Sequence, residues 1–280
     1  MILIRQAAYA EYGVLVMIRS AALIYFSPTG TTKKYAHRLC ASLGITDVDV
    51  IDLTRPSARW GKYRIDKEFV IIGAPVYEEY LPEYVLSSVG NMEFQNQPVF
   101  AFAVYGNIGF GVSLLQYHEE LRKKGLRVCG LGAFIGEHSF SRKGCELADG
   151  RPDIEDIDRI NEISKKIATR LSAGQFIEDV ADIPEKLPLM ARILPRGSAK
   201  VFTKTPSIND RCSKCGACVM NCPVSAINNG LEIDDTKCIR CFACVKKCAK
   251  TGRDIRYRYG FLINMMFAIK NKNRKKNILI

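Results

Sequence analysis

The stretch "AALIYFSPTGTTKKYAHRLCASL", Ala21 to Leu43, holds the reading on which the fold turns. An apolar run ends at Phe26, and a loop of Ser27, Pro28, Thr29, Gly30 and Thr31 comes next. Beyond it Tyr35, Ala36, Leu39, Cys40 and Leu43 recur at helical spacing, so the stretch predicts strand, loop, helix. The start of such a helix offers free N–H groups and the positive end of the helix dipole, which suits a phosphate. Four hydroxyls gather there, from Ser27, Thr29, Thr31 and Thr32. The loop matches neither the GxxxxGK[ST] nor the GxGxxG pattern.

A strand leading into a Ser/Thr-capped helix is common, so the loop alone does not decide the fold. The order of segments along the rest of the front half does. "EFVIIGAPVYEEYLPEYV" predicts a buried strand at Phe69 to Gly73 and then a loop. "PVFAFAVYGNIGFGVSLLQ" predicts another strand to Val104 and a glycine-rich loop, and "RVCGLGAFIGEHSF" a further one. Helical patterns alternate with them, at Leu114 to Lys124 and at Ile154, Ile157, Ile160, Ile163, Ile167 and Leu171. Continuous apolar strands alternating with helices mean a parallel, doubly wound sheet. Residues 21–172 resemble a short-chain flavodoxin, with strand order 2-1-3-4-5. The resemblance implies FMN at the carboxyl ends of the strands. It assigns the phosphate to Ser27, Thr29, Gly30, Thr31 and Thr32. It brings Pro75, Val76 and Tyr77 of "APVY" to the isoalloxazine, and Tyr105, Gly106 and Asn107 of "YGN" to its other side or edge.

The back of the chain carries a different signal. Of eleven cysteines, eight fall in two runs: Cys212, Cys215, Cys218, Cys222, with Pro223 next, then Cys238, Cys241, Cys244, Cys248. Each member of the second run lies 26 residues after its counterpart, so the pattern is an internal repeat. Neighbouring cysteines three residues apart rarely meet disulfide geometry. Zinc sites usually pair ligands across a longer loop, often with histidine, whereas the three histidines here all precede residue 139. Three closely spaced thiolates with a distant fourth suit a cubane cluster. Residues 206–254 resemble a bacterial-type two-cluster ferredoxin, including "CPVSAI" at Cys222 to Ile227. In such ferredoxins the fourth cysteine of each run ligates the other cluster. This assigns Cys212, Cys215, Cys218 and Cys248 to one [4Fe–4S] cluster, and Cys238, Cys241, Cys244 and Cys222 to a second. The second run departs from the first in Ala249, where proline is often found, and in Phe242, where the first run has Gly216. Phenylalanine takes positive φ less cheaply than glycine and can shield a cluster from water, so the two clusters are expected to be inequivalent. Cys40, Cys129 and Cys145 read as ordinary buried thiols, Cys145 from a polar loop.

Together the halves, with "PVY", "YGN", "FIGEHS" and "GRPD" between them, resemble the EFR1 family of ferredoxin–flavodoxin fusions over residues 21–254. Clusters pass single electrons and flavin accepts one or two. The expected function is therefore electron traffic between two [4Fe–4S] clusters and FMN, delivered to a redox partner protein. The cluster thiolates point to a reducing, cytoplasmic and anaerobic setting. One alternative is an FMN-dependent reductase of a small organic substrate, with Tyr105 to Leu115 as the pocket wall. A redox-sensing or assembly protein is another. His138, after the last strand, reads first as a hydrogen-bonded structural residue, with contact to the flavin or a substrate as the alternative, and no nucleophilic constellation stands out.

Residues 1–20 form an extension, either a mis-set start or an extra strand, with Met17 just ahead of "IRSAALIYF". Residues 173–205, with Pro184, Pro188 and Pro195, read as the connection between the halves, and the ferredoxin module is expected to dock over the flavin edge. Residues 255–280 form an apolar and basic tail. From Thr251 onward lie eight Lys or Arg and one Asp, which is +7 of the net +12. No basic stripe interleaved with aromatics occurs elsewhere, which argues against nucleic acid. The apolar part, Phe261 to Ile269, is too short to span a bilayer. It reads first as a docked terminal helix; the sharper reading is contact of residues 261–276 with a membrane surface or an acidic partner.

Overall fold

The computed structural model describes residues 18–179, 181, 187 and 197–280. The extension up to Met17 and most of the expected connection lie outside the described residues. The chain runs β1 (Ser20–Tyr25), α1 (Thr31–Ser42), β2 (Asp47–Asp52), a short 3-10 turn (Pro56–Trp60), β3 (Phe69–Pro75), α2 (Glu83–Gly90), β4 (Pro98–Tyr105), α3 (Ser113–Lys123), β5 (Arg127–Ile135) and α4 (Ile154–Ser172). After these come α5 (Ser198–Phe202), β6 (Ser207–Ile208), α6 (Ala217–Met220), α7 (Ala243–Lys246), β7 (Arg253–Asp254), α8 (Gly260–Asn271) and β8 (Ile278–Leu279).

The main sheet has the order β2-β1-β3-β4-β5-β8. The first five strands are mutually parallel, giving the 2-1-3-4-5 order of a flavodoxin-like doubly wound sheet. β1, β3, β4 and β5 are buried almost end to end because helices cover both their faces. One core lies toward α2 and α3, around Ile24, Ile72, Ala101, Leu114 and Leu131. The other lies toward α1 and α4, around Leu23, Tyr35, Phe102, Phe134 and Ile163. Phe100, Phe102 and Phe134 stack there with centroids 5.0 to 6.3 Å apart. Gly73 of β3 makes room for them: a Cβ at that position would lie 2.3 Å from the Phe102 ring. α4 starts at a capping box, in which Asp156 N–H donates to Asp153 Oδ1 and Asp153 N–H to Asp156 Oδ2.

The last strand, β8, runs antiparallel to β5, pairing Gly132 with Leu279 and Ala133 with Ile278. The C-terminal residues therefore close the open edge of the front sheet. Arg170 Nη1 donates to the Ile280 carbonyl, and Asn277 is buried between α1 and β5.

From β6 to β7 the chain closes into a second, small unit. The antiparallel pair β6–β7 joins Ser207 to Asp254 and Ile208 to Arg253. Between them the 26-residue repeat is written in the backbone. Positive φ recurs at Lys214 and Arg240 (54° and 56°), at Gly216 and Phe242 (74° and 56°) and at Ser225 and Thr251 (49° and 47°). The fourth cysteine of each run also repeats its bond: Ala226 N–H donates to Cys222 Sγ at 3.2 Å, and Gly252 N–H to Cys248 Sγ at 3.1 Å.

Candidate functional site

The phosphate-loop residues converge at the start of α1. Ser27 Oγ accepts from Lys33 N–H at 2.9 Å, and Ser27 N–H donates to Thr54 Oγ1 at 2.7 Å, which pins the loop to the end of β2. Gly30 turns the chain with φ of 97°, and a Cβ there would meet nothing within 4 Å. The Gly30 N–H bonds back to the Ser27 carbonyl, whereas the N–H groups of Thr29, Thr31 and Thr32 find no acceptor among the described residues. Unpaired N–H groups at a helix start, with open space beside them, fit a phosphate.

Pro75 ends β3, and Val76 and Tyr77 open the loop after it. Tyr77 and Tyr80 exchange backbone bonds of 2.8 and 3.0 Å around Glu78 and Glu79, both at positive φ. Glu78 offsets this unfavourable backbone by accepting from Gly197 N–H (2.6 Å) and Ala199 N–H (2.7 Å), which ties the loop to α5. The Tyr77 ring meets Phe26 edge to face at 6.5 Å. Burial pushes its phenol up, and Tyr84 and Cys241 lie close enough to add to the effect.

Tyr105 ends β4, and Gly106 and Asn107 open the loop after it. Tyr105 is buried, meeting Phe110 at 5.4 Å and lying under the Lys275 ammonium. The Asn107 side chain is committed to the C-terminal tail: its Nδ2 donates to the carbonyls of Lys270 (3.0 Å) and Asn273 (3.1 Å), and its Oδ1 accepts from Lys275 N–H (3.2 Å). Lys275 Nζ in turn donates to the Ile108 carbonyl. Gly106 lies against His138, where a Cβ would be 2.4 Å from the imidazole. The Tyr105 and Asn107 side chains thus meet the C-terminal tail, while the loop after β3 is tied to α5.

His138 Nδ1 accepts from Phe140 N–H at 3.1 Å, and its ring meets Phe140 and Phe267, each at 5.0 Å. Burial lowers its pKa to about 4, with Lys246 adding to the shift. It is a neutral structural histidine that joins the β5 loop to α8.

In the ferredoxin-type module, Cys222, Cys238, Cys241 and Cys244 line one cavity together with Ile227, Ile239 and Phe242. Burial pushes the thiols of Cys241 and Cys244 up to about 12, and the neighbouring Cys222 and Cys238 add to it. Four cysteines lining one cavity suit a cluster, whose iron would hold the buried sulfurs as thiolates. Among the described residues, no three His, Cys, Asp or Glu side chains come together as a site for a single metal ion. The other set is more open. Cys215 is exposed, Cys212 and Cys218 are half-buried, and a Cβ on Gly252 would lie 2.8 Å from the Cys212 Cα, so the segment after Cys248 runs against Cys212. None of the eleven cysteines forms a disulfide, and Cys40, Cys129 and Cys145 are buried.

Sequence spacing gave no sign of the groups that join the two halves, because they are single side chains on separate elements. Arg59 donates to the Pro223 carbonyl and stacks over Tyr84 at 5.0 Å. Phe242 meets Phe140 at 5.2 Å. Lys246 Nζ donates to Glu137 and to the Ser141 carbonyl, the latter at 2.7 Å. Lys247 is held below its ordinary range by burial and by Lys33, against the pull of Asp52 and Cys241. Of these module residues, Pro223 and Phe242 line the cavity of Cys222, Cys238, Cys241 and Cys244, and Lys246 and Lys247 follow Cys244 in sequence. Arg59 lies in the turn after β2, and Glu137, Phe140 and Ser141 lie in the segment after β5.

A 4Fe-4S dicluster domain family model matches residues 206–249. No curated protein matches the chain. Solved structures similar to it include a flavodoxin from the domain Archaea (18% identity, 55% of this chain and 99% of that one, TM-score 0.37). A Streptococcus pneumoniae flavodoxin has 16% identity over 54% of this chain and 99% of its own, with TM-score 0.39. The rubredoxin oxygen:oxidoreductase of Desulfovibrio gigas has 18% identity over 61% of this chain and 41% of its own, with TM-score 0.39. The sheet order gives a flavodoxin-like α/β half, and the family model gives a ferredoxin-type 4Fe-4S domain after it at residues 206–249.

Proposed function

We propose that the chain is an iron–sulfur flavoprotein of the EFR1 type, which carries electrons between two [4Fe–4S] clusters and FMN on behalf of a redox partner protein in a reducing, cytoplasmic setting. The observation that carries this reading is the placement of the Cys222, Cys238, Cys241 and Cys244 cavity against the carboxyl edge of the flavodoxin-like sheet, through Arg59–Pro223, Phe140–Phe242 and Lys246–Glu137. When bound, clusters supply one-electron chemistry and flavin one- or two-electron chemistry. The chain's own residues do the holding. The loop from Ser27 to Thr32 offers the unpaired N–H groups of Thr29, Thr31 and Thr32 to a phosphate, Pro75 to Tyr77 face the ring, and the eight cysteines hold iron. The set of Cys212, Cys215, Cys218 and Cys248, with Cys215 exposed, is the port for the partner.

A carrier is favoured over a reductase of a small substrate by the loop that would wall a pocket. Residues 106–112 are clamped: Asn107 and Ile108 by the tail, and Val112 N–H by the Glu79 carbonyl at 3.0 Å. Stopped-flow reduction of the anaerobic holoprotein tests the proposal. Flavin bleaching after cluster reduction should be first order and independent of protein concentration. Arg59→Ala with Lys246→Ala should slow it without changing iron content. Bleaching that scales with protein concentration would mean that electrons pass only between molecules, and the proposal would fall.

A further inference from the structure

The structure leaves one surface unexplained by electron transfer. α8 is held to the protein by Ile263 and Phe267, which pack with Leu147, Phe140 and Tyr257. Its opposite face is open. Phe261 is 80% exposed, Ile269 57%, and Leu262 and Met265 48% each. On a helix of 3.6 residues per turn, Phe261, Leu262, Met265, Ala268, Ile269 and the capping Lys272 share an arc of about 120°. No helix among the described residues is long and apolar enough to cross a membrane, and this one is anchored lengthwise by its buried side.

Charge says what this face meets. From Ile255 to Ile280 the chain has seven Lys or Arg and no Asp or Glu. Some are used internally: Arg274 pairs with Asp153 and Glu155, and Lys275 serves the β4 loop. Arg256 before the helix, and Lys272 and Lys276 after it, are exposed and make no ion pair among the described residues. A second copy of the chain is a poor occupant, since it would bring two carboxylate-free, cationic faces together. A short helix lying flat, with a protruding apolar face and free cations beyond both ends, matches the interfacial zone of an anionic bilayer. There, apolar side chains enter the acyl boundary while the cations meet headgroup phosphates. We propose that α8 docks this protein, reversibly and in the plane, on an anionic lipid surface. The proposal is independent of the cofactor reading.

The test is flotation of the full-length anaerobic holoprotein with vesicles of phosphatidylglycerol and phosphatidylcholine, beside vesicles of phosphatidylcholine alone. Binding is expected to the mixed vesicles, to weaken with salt, and to be slight on the neutral ones. Phe261→Ser with Ile269→Ser should lower the partition by roughly tenfold, since both side chains bury apolar area only in the bilayer. Lys272→Gln with Lys276→Gln should do the same by losing headgroup attraction. All four positions are exposed, so cluster absorbance should stay unchanged in each variant. Failure to float with the mixed vesicles would overturn the proposal. So would flotation untouched by the Phe261 and Ile269 pair, which would be diffuse charge adsorption. Self-association without lipid that the same pair abolishes would assign the face to a second copy instead.

Discussion

Phe242 sits at φ of 56° where the equivalent position of the first cysteine run is Gly216. The backbone alone prefers glycine there by about 1 kcal/mol. The side chain outweighs this, being fully buried against Phe140 beside the Cys241 cavity. Losing a buried phenylalanine costs about 3 kcal/mol or more. Phe242→Gly should therefore be destabilising by about 2 kcal/mol on balance. It should lower the denaturant midpoint read from cluster absorbance; an unchanged or raised midpoint would show that backbone strain dominates. His138 gives a pH-dependent prediction. Its folded pKa is about 4 against an ordinary 6.5, so between those values the unfolded chain binds a proton that the folded one does not. Stability should fall as pH drops from about 6.5 to about 4 and lose nothing further from this group below that. His138→Gln should flatten the slope in that window, and an unaltered slope would contradict the assignment. The departure of Phe242 from glycine was legible in the repeat. The burial of His138 was not, because it depends on Phe267, more than a hundred residues away.

Elements were legible where burial makes them continuous. β3, β4, β5, α1, α3 and α4 arise from apolar runs and helical spacing, with ends within a few residues of the sequence reading. β2 is less legible, since as an edge strand it keeps only Ile51 fully buried in "DVDVID". β8 is harder still. "NILI" ends a basic tail, and only the open edge of β5 gives those residues a partner. One side chain locks β8. Asn277 accepts from Ile135 N–H at 2.7 Å and donates to the Asp156 carbonyl at 3.2 Å, with Tyr35 beside it. Asn277→Leu would orphan the buried Ile135 N–H, at a cost of about 1 to 3 kcal/mol. Amide exchange at Leu131 and Ile280, which bond to each other, should then accelerate while the cysteine runs stay protected. Unchanged exchange would mean that β8 is held by its apolar contacts alone.

At the scale of the molecule, the two halves were each legible, but the side chains that join them were not. Cysteine spacing is a local code, because three ligands within seven residues must wrap one cluster. The flavodoxin-like pattern is a sum of many buried positions. The junction instead rests on Arg59, Phe140, Lys246 and Lys247, scattered residues whose meaning emerges only once β5 and α7 are side by side. The phosphate loop was readable as strand, loop and helix, whereas the commitment of Asn107 to the tail could not be foreseen from "YGN", since its partners are backbone groups at Lys270, Asn273 and Lys275. This arrangement places one cysteine cavity against the sheet edge and leaves the other set open to a partner. The proposed function requires both halves to carry their cofactors. Cofactor content of the anaerobically purified protein is the most direct test. Flavin would be released and identified, and iron and acid-labile sulfide assayed on the same sample. The account predicts about one FMN with about eight iron and eight sulfide per chain. Full clusters without flavin would contradict it, and would leave a ferredoxin-type module on a domain that binds something else.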